Sequence, residues 1–590
     1  MAEIQNPNQQ GGGGGQDSRS LYGFMIVFVL AIVAFQIFGP KKTQQPEPSP
    51  SKTQTAQNGA VPSPAATTPV SAGTAAVAGN PAVPAVNAVL ATGETETVVE
   101  NELYRITFTN RGAAVKSWVL KKYKDDAQTK PLDLVNQDAA PKFGLPLSLY
   151  AYDAGLRGRL NSVLYVPSTI GTITAPGTLS FDYSYGGLTV HKSFHFDSGY
   201  VIDADVSVTQ NGAPVTALLA WPSGLGDQTT LQQYAASTIE YSDNGKADQI
   251  AAKKVVGGET LHGSFDDVGV SDLYFSAIFM PHTPSDTTVV TLHDTVSVPR
   301  NRDHPDPNAM EQEPLLGAAV GSISGDLHTR LFAGPKLLGL LQSVHTANGL
   351  NLEHVVSFGW WGWIAKPMLL VLRFFASHGI PNWGWAILVL TLILNLAMLP
   401  TRFMMMRSSL KMQRIQPQIE TIKAKYAKYK TTDPRRQDMN KEMFDLQRKE
   451  GVNMFGGCLP MLLQYPLLFG FYRMLMYAIE LRQAHWLWLR DLSAPDALHV
   501  LPIFVIVSMF LSQFFTPSPG MDQSQQRMMA FMMPAVFGVM MWNIGSGVAL
   551  YWAGSNLLGV AQQMVMNRTS MGLEMRAIAA KRAAKRERRK

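Results

Sequence analysis

The sequence predicts an α-helical membrane bundle, one N-terminal anchor plus a five-helix core, with a periplasmic β-sandwich domain and a cytoplasmic helical hairpin. Three observations predict it. Apolar runs at 21–38, 383–400, 458–479, 498–515, 528–544 and 546–565 each approach the about 20 residues that cross a hydrocarbon core. Residues 94–356 instead carry short alternating apolar and polar stretches between Asn-Gly and Gly-Gly turn signals, which is the pattern of strands. Basic residues gather between the second and third runs and again at the C-terminal end, and such clusters are retained in the cytoplasm.

Taken in order, residues 1–20 are Gln-, Asn- and Gly-rich and read as a disordered cytoplasmic segment, and residues 39–93, rich in Pro, Ala, Thr and Ser, read as a disordered linker. Run 21–38 reads as an uncleaved anchor: it is long for a signal-peptide core, and no small-x-small cleavage site appears before Gly39-Pro40. Lys41 and Lys42 argue against this orientation, but the two larger basic clusters outweigh them. The β-domain shows its texture in Leu103 to Phe108 and Tyr200 to Val206, with ample length for two packed sheets. Cys458 is the single cysteine, so no intrachain disulfide supports that domain.

Residues 357–378 set Trp360, Trp361, Trp363, Ile364, Met368, Leu372 and Phe375 against Lys366, Arg373 and His378. Too polar to span, the segment reads as an interfacial amphipathic helix, or else as a packed helix of the β-domain. Residues 401–452 read as a helical hairpin broken at Asp433-Pro434. Its cations, Lys411, Arg414, Lys423 and Lys425 among them, form either a solvated face beside anionic lipid or a contact for ribosomal RNA or nascent chain. Residues 568–590 are a basic tail. The parity of crossings places both termini in the cytoplasm and residues 39–382 outside.

No HExxH, GxSxG or GxxxxGK pattern occurs, so enzymatic or nucleotide-driven work is not expected. The histidines are scattered, with His485 and His499 flanking an exterior loop, so neither a metal nor another cofactor is expected, nor is specific DNA binding. Polar residues instead sit at membrane depth: Thr391, Asn395, Gln464, Arg473, Ser508, Ser512, Gln513, Tyr551, Ser555, Asn556 and Gln562, with Trp552 among them. Such groups are costly in hydrocarbon and face a bundle interior or a wet cavity. Some serve as helix glue or return their hydroxyls to the backbone, but their number across several helices points to a hydrated groove. Arg473 lies nearer the outer face, where it snorkels, pairs with Glu480, or supplies the groove with a cation.

Several stretches resemble the YidC/Oxa family of membrane protein insertases, in its bacterial form with a large periplasmic domain. They are Gly456-Gly457-Cys458-Leu459-Pro460-Met461-Leu462-Leu463-Gln464-Tyr465-Pro466, Glu480-Leu481-Arg482-Gln483-Ala484, Asp491-Leu492-Ser493, and Ser546-Gly547-Val548-Ala549-Leu550-Tyr551-Trp552 leading to Ser555-Asn556. Asn110-Arg111-Gly112 looks like the start of the periplasmic domain. The resemblance implies an insertase that works without ATP in the inner membrane. A lipid-open groove would take a client's polar segment, and a slide on the third and fifth spans, with Tyr465, Pro466, Leu468 and Phe469, would guide its apolar segment. It implies nascent membrane proteins, lipids, the Sec translocon, the ribosome and targeting machinery as partners. The family pattern Thr, three residues, Arg, four residues, Pro meets Thr391 and Pro400 here, but Asn395 stands at the arginine position. Arg473 is the expected replacement for that charge. Asn453-Met454 also departs from the family's Asn-Pro.

Two rival readings use the same residues. Polar groups within a bundle also line transporters and channels, but no internal repeat supports that here. A chaperone or scaffold would work through the β-domain, with the spans as anchors.

Overall fold

The computed structural model describes residues 88–226, 237–299, 309–429, 433–452, 459–515 and 523–587. The expected anchor 21–38, its flanking segments up to residue 87, Cys458, Asn453-Met454 and residues 588–590 lie outside them. The described part falls into two compact units, one containing residues 411–452 and the start of the helix from Gln523, the other containing the remainder.

Alternation did yield strands, but they assemble into three sheets rather than two. The largest runs from Lys246–Ala251 through Thr238–Asp243, Phe265–Ser271, Phe275–Pro281, Leu327–Pro335, Val201–Gln210, Leu188–Phe196 and Gly177–Tyr185 to Val166–Pro167. Two five-stranded sheets flank it, one built on Glu96–Glu100, Tyr104–Thr109 and Ala114–Lys124, the other on the long hairpin Thr287–Pro299 with Met310–Ser322. Leu188–Phe196 buries alternate residues, as a strand with one solvated face must. Phe265–Ser271 and Phe275–Pro281 are buried throughout, because a further layer covers their second face. That added layer is a long-range event invisible to local periodicity.

Nine helices that bear on the site are numbered here. They are α1 (Gly362–Ser377), α2 (Trp383–Ala397), α3 (Leu399–Lys425), α4 (Arg435–Lys449), α5 (Leu459–Tyr477), α6 (Val500–Phe515), α7 (Gln523–Met541), α8 (Ser546–Asn567) and α9 (Ser570–Glu587). Asn382 caps α2 by accepting from the N–H groups of Gly384 and Trp385. No single described helix is long and apolar enough by itself to cross a membrane; α2 and α3 together reach that test with a 47° bend between them.

α1 is amphipathic as expected, burying Ala365, Met368, Leu369 and Leu372 while Trp360 before it and Trp363, Leu370 and Phe374 within it remain exposed. The tail, expected only as a basic segment, forms α9. In the other unit, Ile415, Ile419 and Val452 pack with Met412, Met443 and Leu446, and Lys425 pairs with Glu442 at 3.1 Å.

One apolar cluster runs without a break from Phe108, Trp118 and Phe275 of the β-domain through Phe358 and Leu369 to Phe471, Met474 and Leu550 of the helices. Polar contacts clasp the same junction. Arg482 donates to the Lys124 carbonyl at 2.9 Å and to Asp126 at 3.1 Å, and Gln483 donates to the Asp125 carbonyl at 2.7 Å. Gly547 and Ser546 donate their N–H groups to the carbonyls of Leu492 and Ala494, both at 2.7 Å. A Cβ at Gly545 would meet the Ser493 carbonyl oxygen at 2.6 Å, so this turn admits no side chain.

The segment entering α1 is held by His354, whose Nε2 lies 3.1 Å from Oδ1 of the fully buried Asp267. Burial opposes a charged ring, but the hydrogen bond and charge of Asp267, helped by Glu240, outweigh it and hold His354 above the ordinary histidine value. Burial raises the Glu240 carboxyl itself. A raised histidine contributes stability fully present below its unfolded value and lost as pH rises through the folded one. His354→Ala is therefore predicted to destabilise the β-domain by about 3 kcal/mol at pH 6 by leaving Asp267 unpaired. His354→Gln should cost less, and its gap to the wild type should shrink from pH 6 to pH 9 in thermal unfolding of the full-length protein.

Candidate functional site: a polar cavity among apolar helices

A cavity of about 500 Å³ opens between α2, α3, α5, α6, α8 and α9. Its polar lining is Asn395, Arg402, Gln464, Ser512, Gln513, Ser555, Asn556 and Gln563, beside the rings of Tyr551 and Trp552. These positions are set by helical geometry: Ser555, Asn556 and Gln563 come from neighbouring turns of α8, and Ser512 and Gln513 from the last turn of α6.

Asn395 sits at the centre, buried, two residues before α2 ends. Its Nδ2 donates to the Thr391 carbonyl at 2.9 Å and to Ser555 Oγ at 3.3 Å. Its Oδ1 accepts from Arg402 Nη2 at 3.3 Å, and its carbonyl accepts from Gln562 Nε2 at 3.3 Å. Behind the wall, Asn556 Nδ2 donates to Ser508 Oγ at 3.1 Å, while Ser508 and Thr391 return their hydroxyls to the carbonyls of Val505 and Ile387. Tyr551 stacks on Phe471 at 4.1 Å and Trp552 packs on Phe537 at 5.3 Å. The rest of the lining is mostly methionine, Met398, Met405, Met406, Met509, Met566 and Met575, with Leu394, Thr401, Ser409, Leu467 and Gly559.

Of the residues expected in a groove, Asn395, Gln464, Ser512, Tyr551, Trp552 and Asn556 line this cavity. Thr391 and Ser508 are buried behind it as supports. Arg473 is elsewhere. Its Nε donates to the Phe358 carbonyl at 3.3 Å and its Nη1 to the Tyr477 hydroxyl at 3.2 Å, with the guanidinium 4.7 Å from the Tyr477 ring. It does not pair with Glu480 either, because Arg373 of α1 takes that carboxylate. Arg473 thus does not line this cavity, and among the described residues the cation that does is Arg402. Arg402 is among the basic residues that gather between the second and third apolar runs, where nothing in its type sets it apart. The available signal was its position, two residues past Pro400 at the end of the second apolar run.

Tyr465 and Phe469 stack at 6.3 Å along α5, and Phe469 stacks on Trp361 at 5.5 Å, with Pro466 and Leu468 on neighbouring positions. Lys411 Nζ donates to the Gly451 carbonyl at 3.1 Å, Lys425 is paired as described, and Arg414 and Lys423 are exposed. His499 stacks on Trp542 at 4.4 Å. Among the described residues no group of His, Cys, Asp and Glu has the arrangement of a metal site.

Residues 96–371 match the family model of the YidC periplasmic domain, and residues 374–573 match that of the 60Kd inner membrane protein. The two describe an inner membrane protein with a β-rich periplasmic domain followed by helices. The membrane protein insertase YidC of Syntrophus aciditrophicus is 30% identical over 567 residues, covering 92% of this chain and 98% of the relative. That of Cupriavidus necator is 32% identical over 565 residues, covering 92% and 94%. The chain belongs to the YidC family of membrane protein insertases. A crystal structure of an active YidC insertase with its first transmembrane domain resolved is 18% identical, with a TM-score of 0.33 over 82% of this chain and 94% of that one. The family assignment rests on the sequence relatives rather than on that score.

The geometry makes a prediction about hydration. In a Cys458→Ser background, cysteine placed at Ser512 or Asn556 should react readily with a hydrophilic maleimide, whereas cysteine at the fully buried Thr391 should stay unlabelled until the protein is denatured.

Proposed function

We propose that this insertase receives the short polar flank of a client in the cavity around Asn395 while the client's apolar segment moves along Tyr465, Pro466, Leu468 and Phe469 into lipid. The observation that carries this reading is the cavity itself, a polar wall drawn from five helices, α2, α3, α5, α6 and α8, of which α2 and α6 are otherwise apolar. Burying about 20 apolar residues in lipid is strongly favourable, so a helper need only lower the barrier for the polar flank, and no nucleotide is required. Asn, Gln and Ser side chains exchange hydrogen bonds with a passing backbone without holding it as a fixed charge pair would.

In this reading 21–38, 383–400, 458–479, 498–515, 528–544 and 546–565 are the crossings, residues 357–378 lie in the interface, and both termini face the cytoplasm. The exposed Trp360 and Trp363 suit the interfacial placement of α1. The hairpin, through Lys411, Arg414, Lys423 and Lys425, and the basic α9 meet the ribosome and targeting machinery. Clients arrive either directly or from the Sec translocon.

Filling the cavity tests the reading. Purified chain in liposomes should insert a short single-span client, scored by protease protection. Ser512→Trp should reduce the inserted fraction several-fold without changing the thermal unfolding of the β-domain. Deleting residues 94–340 should leave insertion largely intact. Insertion indifferent to Ser512→Trp, or lost only with the β-domain, would move the active surface out of the bundle.

A further inference from the structure

The cavity extends to the end of the bundle where α8 stops, and there Ser409 of α3, Gln563 and Met566 of α8, and Met575 of α9 line it. α9 does not continue α8; the chain turns back onto the end it has just left. Thr569 makes the turn: its Oγ1 donates to the Met566 carbonyl at 2.6 Å and accepts from the Gly572 N–H at 3.4 Å, which caps the new helix. A Cβ at Gly572 would meet the Met566 carbonyl oxygen at 2.5 Å and the Asn567 Cα at 2.6 Å, so only glycine allows so close a return.

The face that α9 turns to the bundle is apolar. Met571, Met575 and Ile578 recur at helical spacing and pack with Met406 and Leu410 of α3 and Met566 of α8. Arg576 and Lys581 of the same helix are exposed. Met575 belongs both to this buried cluster and to the cavity lining. A polypeptide entering by this end therefore meets α9 first and has to move it.

We propose that α9 is a latch on the cytoplasmic opening of the cavity: it rests across the mouth through Met571, Met575 and Ile578, and the polar flank of a client enters by lifting it. The inference rests on the groove reading above. α9 narrows the mouth rather than sealing it, so a small reagent passes beside Met575 whereas a polypeptide does not. Its contact is built for release. One short stripe makes it, most of the side chains are unbranched thioethers that repack without a fixed geometry, and the hinge at Arg568 and Thr569 lies outside both helices.

The experiment uses the full-length protein in liposomes, a short single-span client and a Cys458→Ser background. Cysteines placed at Leu410 and Ile578, both in the apolar contact, and joined by a short bifunctional thiosulfonate should lower the insertion rate several-fold. Reduction of the two disulfides should restore it. The same pair carrying a monofunctional thiosulfonate should insert at the unlinked rate. Gly572→Leu, which pushes α9 off the end of α8, and a chain ending at Thr569 should both insert faster than the wild type, a gain that misfolding does not imitate. A cross-linked protein inserting at the unlinked rate would overturn the latch. So would a loss equally large with the monofunctional reagent, or Gly572→Leu and shortened chains no faster than the wild type. Each of these leaves the groove reading standing where Ser512→Trp still blocks insertion, whereas insertion indifferent to Ser512→Trp would remove both.

Discussion

A polar side chain among apolar helices has to find partners, and Asn395 is where this constraint is tightest. Its amide group and carbonyl meet α2, α3 and α8 within one turn of the bend that separates α2 from α3. The cavity wall follows from that arrangement. Arg402 is met by Asn395 Oδ1, Gln562 is held by the Asn395 carbonyl, and α8 passes the guanidinium at Gly559, where a Cβ would lie 3.3 Å from Nη1. A leucine at 395 would pack well enough as a membrane residue, but it would leave Arg402 and Ser555 without this shared partner.

The second dependence is between the β-domain and the bundle. The short stretch from Glu480 to Ala484 works on both: Glu480 pairs with Arg373 of α1, while Arg482 and Gln483 grip the turn at 124–126 of the β-domain. Arg473, a turn before α5 ends, fastens the entry to α1 through the Phe358 carbonyl. The residues that hold the outer end together are thus charged side chains satisfied by backbone carbonyls and single carboxylates. They leave the polar residues of the cavity free of any structural duty at that end.

Much of this was legible before any coordinates. Strand texture and the amphipathic face of α1 are local patterns, and both appear where periodicity places them. What stayed hidden depended on contacts distant in sequence. Three sheets instead of two follow from strands such as Phe265–Ser271 being covered on both faces. Arg473 stands out because an arginine inside an apolar run is rare, yet one of its two acceptors lies 115 residues away in sequence. Arg402 does not stand out in the sequence because a dozen other basic residues follow it before the third apolar run.

The six methionines that complete the cavity add a property that the amides do not have. A thioether chain is unbranched and turns about three bonds, so a wall made of it changes shape at little cost. Discrimination then belongs to the few atoms fixed by hydrogen bonds, and tolerance belongs to the sulfurs. The same sulfurs set a chemical limit, because oxidation to the sulfoxide would stiffen that wall into a polar one. An oxidant would therefore change the polarity of this cavity without touching a single one of its hydrogen-bonded residues.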